Sequence, residues 1–263
     1  MGLGALLYGR SDLRSLGPEK APAGWLWLFA PERLEAYEAI QPEPPEFTSH
    51  LLPDAQYGVM RTGWERDDAA LLFDAAPWGG GHSHQDRLQV VLYAGRDLLV
   101  DPGMYSYDQP LSTGYFRRAE AHNVLLIDER RQPDSNPRML SWIETPEVGF
   151  CAASIKGGGK RQQRSVLFVK PGYWVVTDHV FGDGDPVLTR LFHFPNIDVE
   201  VSEHSVRTRF EQGRNVWLGS PDASRVERRE GWLPTGGSTA EHAPVAAFVS
   251  KGCALSTRLR IPT

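Results

Sequence analysis

From Tyr57 onward, apolar residues recur in short runs rich in Val, Leu, Phe and Trp, broken by Gly, Pro, Asp and Asn. Runs of that length between turn formers read as β-strands. They predict strands over 57–63, 69–75, 87–94, 97–101, 121–127, 138–145, 148–156, 163–170, 173–181, 187–194, 197–202, 205–211, 214–219 and 245–255. Ala94-Gly-Arg-Asp97 and Lys170-Pro-Gly-Tyr173 read as hairpin turns, and Pro-Gly suits a type II turn. The glycines at 157–159 and the charged stretch 225–242 read as loops. So many strands without intervening helices predict a mainly β chain, a large antiparallel β-sandwich with a short N-terminal helical segment.

Residues 1–45 carry a different pattern. Gly4-Ala-Leu-Leu-Tyr8 and the stretch from Trp25 to Tyr37 read as short helices, with Pro31 suited to a first helical turn and Glu32 to the positive end of the dipole. Gln41-Pro-Glu-Pro-Pro-Glu46 then reads as a linker. Two short helices bury little by themselves, so this segment is expected to be the end of a larger helical unit or a cap, with the β domain spanning 46–263.

Composition narrows the function. The chain has 263 residues, a net charge of −5 and no Lys/Arg block, which argues against a nucleic-acid partner. No segment approaches the ~20 apolar residues of a membrane span. Met1 to Leu7 is apolar but lacks a basic n-region, so no export signal is read. Cys151 and Cys253 form no CxxC pattern, and both read as buried free thiols.

The densest chemistry lies between 79 and 122. Gly80-Gly-His-Ser-His84 puts two histidines two residues apart behind glycines, which let the backbone bend. If extended, His82 and His84 share a face, roughly 6.5 Å apart along the chain. Asp101 ends the next strand and His122 opens a third. Two imidazoles and a carboxylate with an open position suit Zn²⁺. Spacing alone does not tell which of His82 and His84 is the ligand, and a surface His-x-His with unrelated neighbours is the bland alternative. Around this group stand Tyr105, Tyr107, Tyr115, Arg117 and Arg118, residue types that suit an anionic sugar: Arg pairs bidentately with carboxylates, and Tyr stacks or moves protons. Asp86 is a candidate to orient an imidazole. Asp178 and His179, adjacent on a strand, are expected on opposite faces, and His193 between two phenylalanines reads as a satisfied core histidine.

These residues resemble a known family. His82-Ser-His84-x-Asp86, Leu98-Leu-Val-Asp-Pro-Gly103, Tyr105-Ser-Tyr107, Tyr115-Phe-Arg-Arg118 and Ala121-His-Asn-Val124 follow in the order seen in heparinase II/III-like polysaccharide lyases and related alginate lyases. Tyr57 to Trp64, Leu72 to Gly79, Trp174 to Asp178 and Phe192-His-Phe194 add looser similarity. The resemblance implies an (α/α) toroid packed on an antiparallel sandwich, with an acidic polysaccharide or oligosaccharide between them. It implies a structural zinc held by His84, Asp101 and His122, with His82 facing the cleft as a catalytic helper and Tyr107, Tyr115 and Arg118 contacting glycan. Such enzymes are commonly bacterial and periplasmic or secreted. The implied reaction is β-elimination at a uronic acid, which needs a neutralised carboxylate, a base for the C5 proton and an acid for the leaving 4-oxygen.

Residues 1–45 can supply only the last helices of a toroid, so the principal catalytic Tyr is expected on a toroid elsewhere on the full-length or a separate chain. The alternative is a non-catalytic module that binds acidic glycan through Arg118 and the tyrosines. Zinc-activated hydrolysis is a third reading, set apart by products that carry no unsaturated sugar.

Overall fold

A computed structural model describes residues 1–262. The chain divides into two compact units, Met1–Thr48 and Ser49–Thr263. The first holds helices Gly2–Tyr8, Ser11–Ser15 and Pro31–Ala39 and a 3-10 turn Ala23–Trp27. The helix expected from Trp25 to Tyr37 is therefore broken. Pro31 has no N–H to continue a helix and instead starts the last one. Ser11–Ser15 was not legible as a helix, being short and without an apolar stripe. The unit's small core joins Ala5, Leu6 and Tyr37. Arg14 is buried against it, stacked 4.4 Å over the Tyr37 ring and donating to the Tyr37, Pro18 and Glu19 carbonyls.

The second unit is an antiparallel β-sandwich of three sheets. The first sheet runs in chain order: His50–Leu52, Tyr57–Arg61, Ala69–Asp74, Gln89–Ala94 and Asp97–Leu99. The second has eight strands in the spatial order Val199–Val201, Ser205–Thr208, Trp217–Gly219, Ala254–Arg260, Tyr173–Phe181, Lys160–Val169, Val148–Gly157 and Arg138–Glu144. The third orders Arg225–Gly236, Thr239–Lys251, Val187–His193 and Leu125–Ile127. One core draws on all three, for example Phe73 and Val90, Phe168 and Trp174, Phe192 and Phe248. The Val100 N–H donates to the His193 carbonyl at 3.0 Å, so the first and third sheets adjoin.

Four expectations change. The 225–242 stretch is not a loop: it forms most of a long hairpin. Its first arm is half exposed, so Arg-Val-Glu-Arg-Arg-Glu shows no apolar face, whereas its second arm is continuously buried from Ala243 to Ser250. That second arm has apolar partners on both sides of the third sheet, including Val124, Leu126 and Leu191. Lys170-Pro171 is a cis peptide, and Pro171 takes the third position of a turn closed by Gly172 N–H to the Val169 carbonyl, so the turn is not type II. Cys253 is exposed on a turn, whereas Cys151 is buried and its thiol is pushed up to about 12 by that burial. Gly158 and Gly159, both with positive φ, form a two-residue hairpin turn where a loop was expected.

Asp178 sits at the centre of the sandwich with no exposure. It accepts from Arg164 Nε and Nη2 at 2.9 and 2.8 Å and from Arg190 Nε at 2.7 Å. Burial alone would raise its carboxyl, but the two guanidiniums hold it down at about 2. Its folded pKa lies below the unfolded value, so its contribution to stability is full above about pH 4 and is lost as pH falls through about 2. Asp178→Asn leaves two buried guanidiniums without a counter-charge and is expected to cost ~3–5 kcal/mol in urea unfolding. Asp183→Asn, on an exposed turn, is expected to stay within ~0.5 kcal/mol.

Candidate functional site

The strand Ala69–Asp74 runs out into a loop that returns at Gln89. Short bonds hold this loop in shape. Asp74 Oδ1 accepts the Ala76 N–H, Asn136 Oδ1 accepts the Trp78 N–H, and Ser83 Oγ accepts the Gly79 N–H, at 2.8, 2.8 and 2.6 Å. Gly80 takes a positive φ that glycine allows at no steric cost. Arg117 reaches across from the next loop and donates to the Gly81 and Ser83 carbonyls. Its own carbonyl accepts the Gln85 N–H at 3.1 Å. Leu88, at φ 65, turns the chain back into the sheet.

His82 and His84 thus lie in a loop, and their rings find different partners instead of sharing one face as they would if extended. His82 is exposed and sits edge-on to Tyr107, ring centroids 5.2 Å apart. His84 is half-buried, its centroid 5.3 Å from that of His122. Burial, and then the neighbouring His122, lower the pKa of His84 and favour its neutral form.

His122 is fully buried between the 3-10 turn Ala119–Ala121 and the strand Leu125–Ile127. Its Nδ1 lies 2.6 Å from Asp101 Oδ2, and Asp101 Oδ1 accepts the Gly103 N–H at 2.8 Å. Burial alone would raise the Asp101 carboxyl, but the bond to His122 outweighs it and the net shift is downward. An imidazole that donates Nδ1–H to a carboxylate presents its Nε2 lone pair. That Nε2 is buried and has no hydrogen-bond partner among the described residues. That free nitrogen lies on the edge of the ring opposite Asp101, so it and the carboxylate do not face one point as placed; the residue types themselves, two imidazoles and a carboxylate, suit zinc, the ion that the resemblance implies. Among the described residues no three His, Cys, Asp or Glu side chains are drawn together as a preformed metal-binding group.

Beside His122, Asn123 is also fully buried. It donates to the Val90 and Val100 carbonyls at 2.8 and 2.9 Å and accepts the His193 N–H at 2.6 Å. One side chain thus locks two strands of the first sheet to the third. His193 is a satisfied core histidine: burial lowers its pKa to about 3, and its Nε2 meets the Glu120 carbonyl at 3.0 Å.

The resulting cleft, about 460 Å³, is lined by His82, His84, Asp101, Tyr107 and Arg117. Tyr57, Asp74, Trp78, Asp86, Arg87 and Tyr105 also line it. Burial raises Asp74 to about 6 and also raises Asp86. A neighbouring cavity of about 470 Å³ shares Trp78, Ser83 and Arg117 and adds Arg118, Arg131 and Glu120. Arg118 thus belongs to this basic extension. Tyr115 lines neither cavity. Its hydroxyl is turned beneath Gly231, close to the backbone of Trp232, and burial pushes its pKa up to about 12. Adjacent positions on a tight turn point different ways, which residue type does not reveal. Tyr57, Asp74, Trp78 and Arg87 were missed as cleft residues because the loop folds back over strand ends distant in sequence.

The chain matches the family described as "Heparinase II/III-like, C-terminal" over residues 44–254. It belongs to that family. It is 24% identical over 220 residues to a heparin-sulfate lyase of Pedobacter heparinus, covering 79% of this chain and 33% of that protein. It is also 24% identical over 224 residues to a heparin-sulfate lyase of Bacteroides stercoris, covering 80% of this chain and 34% of the relative. It therefore spans about a third of the length of the curated relatives it matches. The solved heparan sulfate lyase HepC from Pedobacter heparinus superposes with a TM-score of 0.79 at 20% identity, over 91% of this chain and 40% of that one. A solved heparinase III gives a TM-score of 0.79 at 15% identity, over 98% and 41%. These likenesses show the sandwich fold, and family membership makes the chain a module related to polysaccharide lyases.

The Arg117 clamp gives a direct test of how the site is held. Arg117→Ala is expected to raise amide exchange over 79–85 by about ten-fold, the loss of one charge-assisted hydrogen bond, while the global unfolding midpoint hardly moves.

Proposed function

We propose that this chain is the sandwich part of a lyase that cleaves uronic-acid-containing glycans by β-elimination. The observation that carries this reading is the exposed His82 ring, edge-on to Tyr107 at the mouth of a cleft whose rim continues into Arg117, Arg118 and Arg131. The arginines attract and orient an acidic chain by bidentate pairing. His82 is free to lie against the uronate carboxylate, lowering the cost of removing the C5 proton, or to relay a proton beside Tyr107. The principal base is assigned to a toroid on the same or a separate chain. Unit 1 is consistent with such a partner, since Trp27 and Leu28 are 91% and 70% exposed, more than an isolated helical unit gains from leaving bare.

We assign a structural zinc to His84, Asp101 and His122, where it would cross-link the loops that carry His82. Metal analysis of the purified chain is expected to find one zinc, lost in His84→Ala and in His122→Ala; unchanged zinc content in both variants would exclude the site. Zinc removal by a chelator is expected to lower the melting temperature without unfolding the sandwich core.

With heparan sulfate and alginate oligosaccharides, the chain alone is expected to bind and to release little 4,5-unsaturated uronate by ultraviolet absorbance. His82→Ala and Arg118→Ala are expected to weaken binding. Products that are cleaved but saturated would overturn the elimination reading. The basic extension lined by Arg117, Arg118 and Arg131 favours a second reading, a glycan-binding module without chemistry. Reconstitution with a toroid separates the two: unsaturated product that depends on His82 supports the lyase, and binding with no turnover supports the module.

A further inference from the structure

The outward face of the eight-stranded sheet carries a second grouping of aromatic and cationic side chains. In the antiparallel register Arg207 pairs with Trp217, Trp217 with Arg260, and Arg260 with Tyr173. Their strand neighbours Val206, Leu218, Leu259 and Trp174 are in the core, so this row faces outward. The Trp217 indole is laid along its own strand: its six-membered ring fills the space a Cβ on Gly219 would need, 2.0 Å away. Gly219 pairs with Arg258, whose guanidinium sits 4.6 Å over the Tyr173 ring. Arg207, Trp217, Arg258 and Arg260 border a shallow cavity of about 380 Å³ that shares no residue with the cleft. Among the described residues none of these three arginines has an ion-pair partner; Glu200, opposite Arg207, is taken by Arg209.

We propose that this face is a second binding site for an acidic glycan, with the Trp217 indole as a platform for one pyranose and the three arginines as partners for its carboxylate or sulfate groups. The inference rests on the acidic-glycan reading of the cleft and adds a separate site to it. A ring laid along a sheet offers its face to the C–H side of a sugar, and guanidiniums flanking it take planar or tetrahedral anions by paired hydrogen bonds. Gly219 is what allows the ring to lie down: any side chain there would lift it. The chain as a whole is acidic, at −5, so binding of an anion here depends on this local row and not on a general field. A polymer held on this face also raises its own effective concentration at the cleft.

The test is equilibrium binding of the full chain to labelled heparin and alginate oligosaccharides at physiological ionic strength. A neutral dextran oligosaccharide and a single-stranded DNA oligonucleotide serve as comparators. The Arg207→Gln/Arg260→Gln double variant and Trp217→Ala are compared with His82→Ala, and thermal melts report folding. The acidic glycans are expected to bind His82→Ala still, and to bind either platform variant at least about ten-fold more weakly, a loss that a single such contact is enough to produce. Dextran is expected not to bind. The double variant keeps the test decisive if Trp217→Ala melts early, because both of its arginines are exposed. Parent-like glycan binding by the double variant overturns the platform; if His82→Ala then abolishes binding, the cleft reading stands alone. Loss in the platform variants with none in His82→Ala keeps the platform and counts against the cleft. DNA binding as tight as glycan binding, with the same losses, overturns the proposal in favour of a general polyanion surface.

Discussion

One buried carboxylate ties the sandwich together. Asp178 belongs to the eight-stranded sheet, as does Arg164, while Arg190 belongs to the third. Arg164 Nη1 also donates to the Leu88 and Asn123 carbonyls at 2.8 Å each, at the entrance to the first sheet and beside His122. Arg190 Nη1 reaches Thr257 Oγ1 at 2.6 Å in the eight-stranded sheet. Every polar group in this knot is fully buried, so each must find its partner or leave a charge stranded in a poorly polarisable interior. That requirement fixes how the three sheets register against one another.

The cleft inherits its geometry from this knot. Arg164 fixes the Leu88 carbonyl at the end of the His-x-His loop and the Asn123 carbonyl next to His122, so both sides of the His84–His122 pair hang from one guanidinium. Asn123 completes the frame by joining Val90, Val100 and His193. On this rigid base the loop keeps one histidine half-buried beside His122 and sends the other to the surface against Tyr107. The two imidazoles differ in burial, and the roles proposed for them follow that difference.

Much of this was legible beforehand. Short apolar runs between turn formers gave the sandwich, and the order of His82, His84, Asp101 and His122 marked the site, because each stands at a strand end or a glycine bend. The expected opposition of Asp178 and His179 holds, with Asp178 buried and His179 exposed, because a two-residue period is a local property of a strand. The 225–236 strand was not legible, since its pairing with Thr239–Lys251 compensates for a charged, half-exposed face. Tyr115 and Arg118 shared one sequence signal, yet one turns under Gly231 and the other into the basic extension.

The sequence by itself determined the strand-rich class, the turn at Gly95 and the histidine-centred residues of the cleft, because these depend on periodicity and on chemistry carried within a few residues. Only the tertiary structure decided that, among the described residues, His122 Nε2 is buried without a hydrogen-bond partner, that Arg117 clamps the histidine loop, and that Trp217 lies between three arginines without ion-pair partners. Each of those depends on groups far apart in the chain meeting across a packed core, and burial, which sets the cost of every unpaired charge, exists only once the sheets have closed.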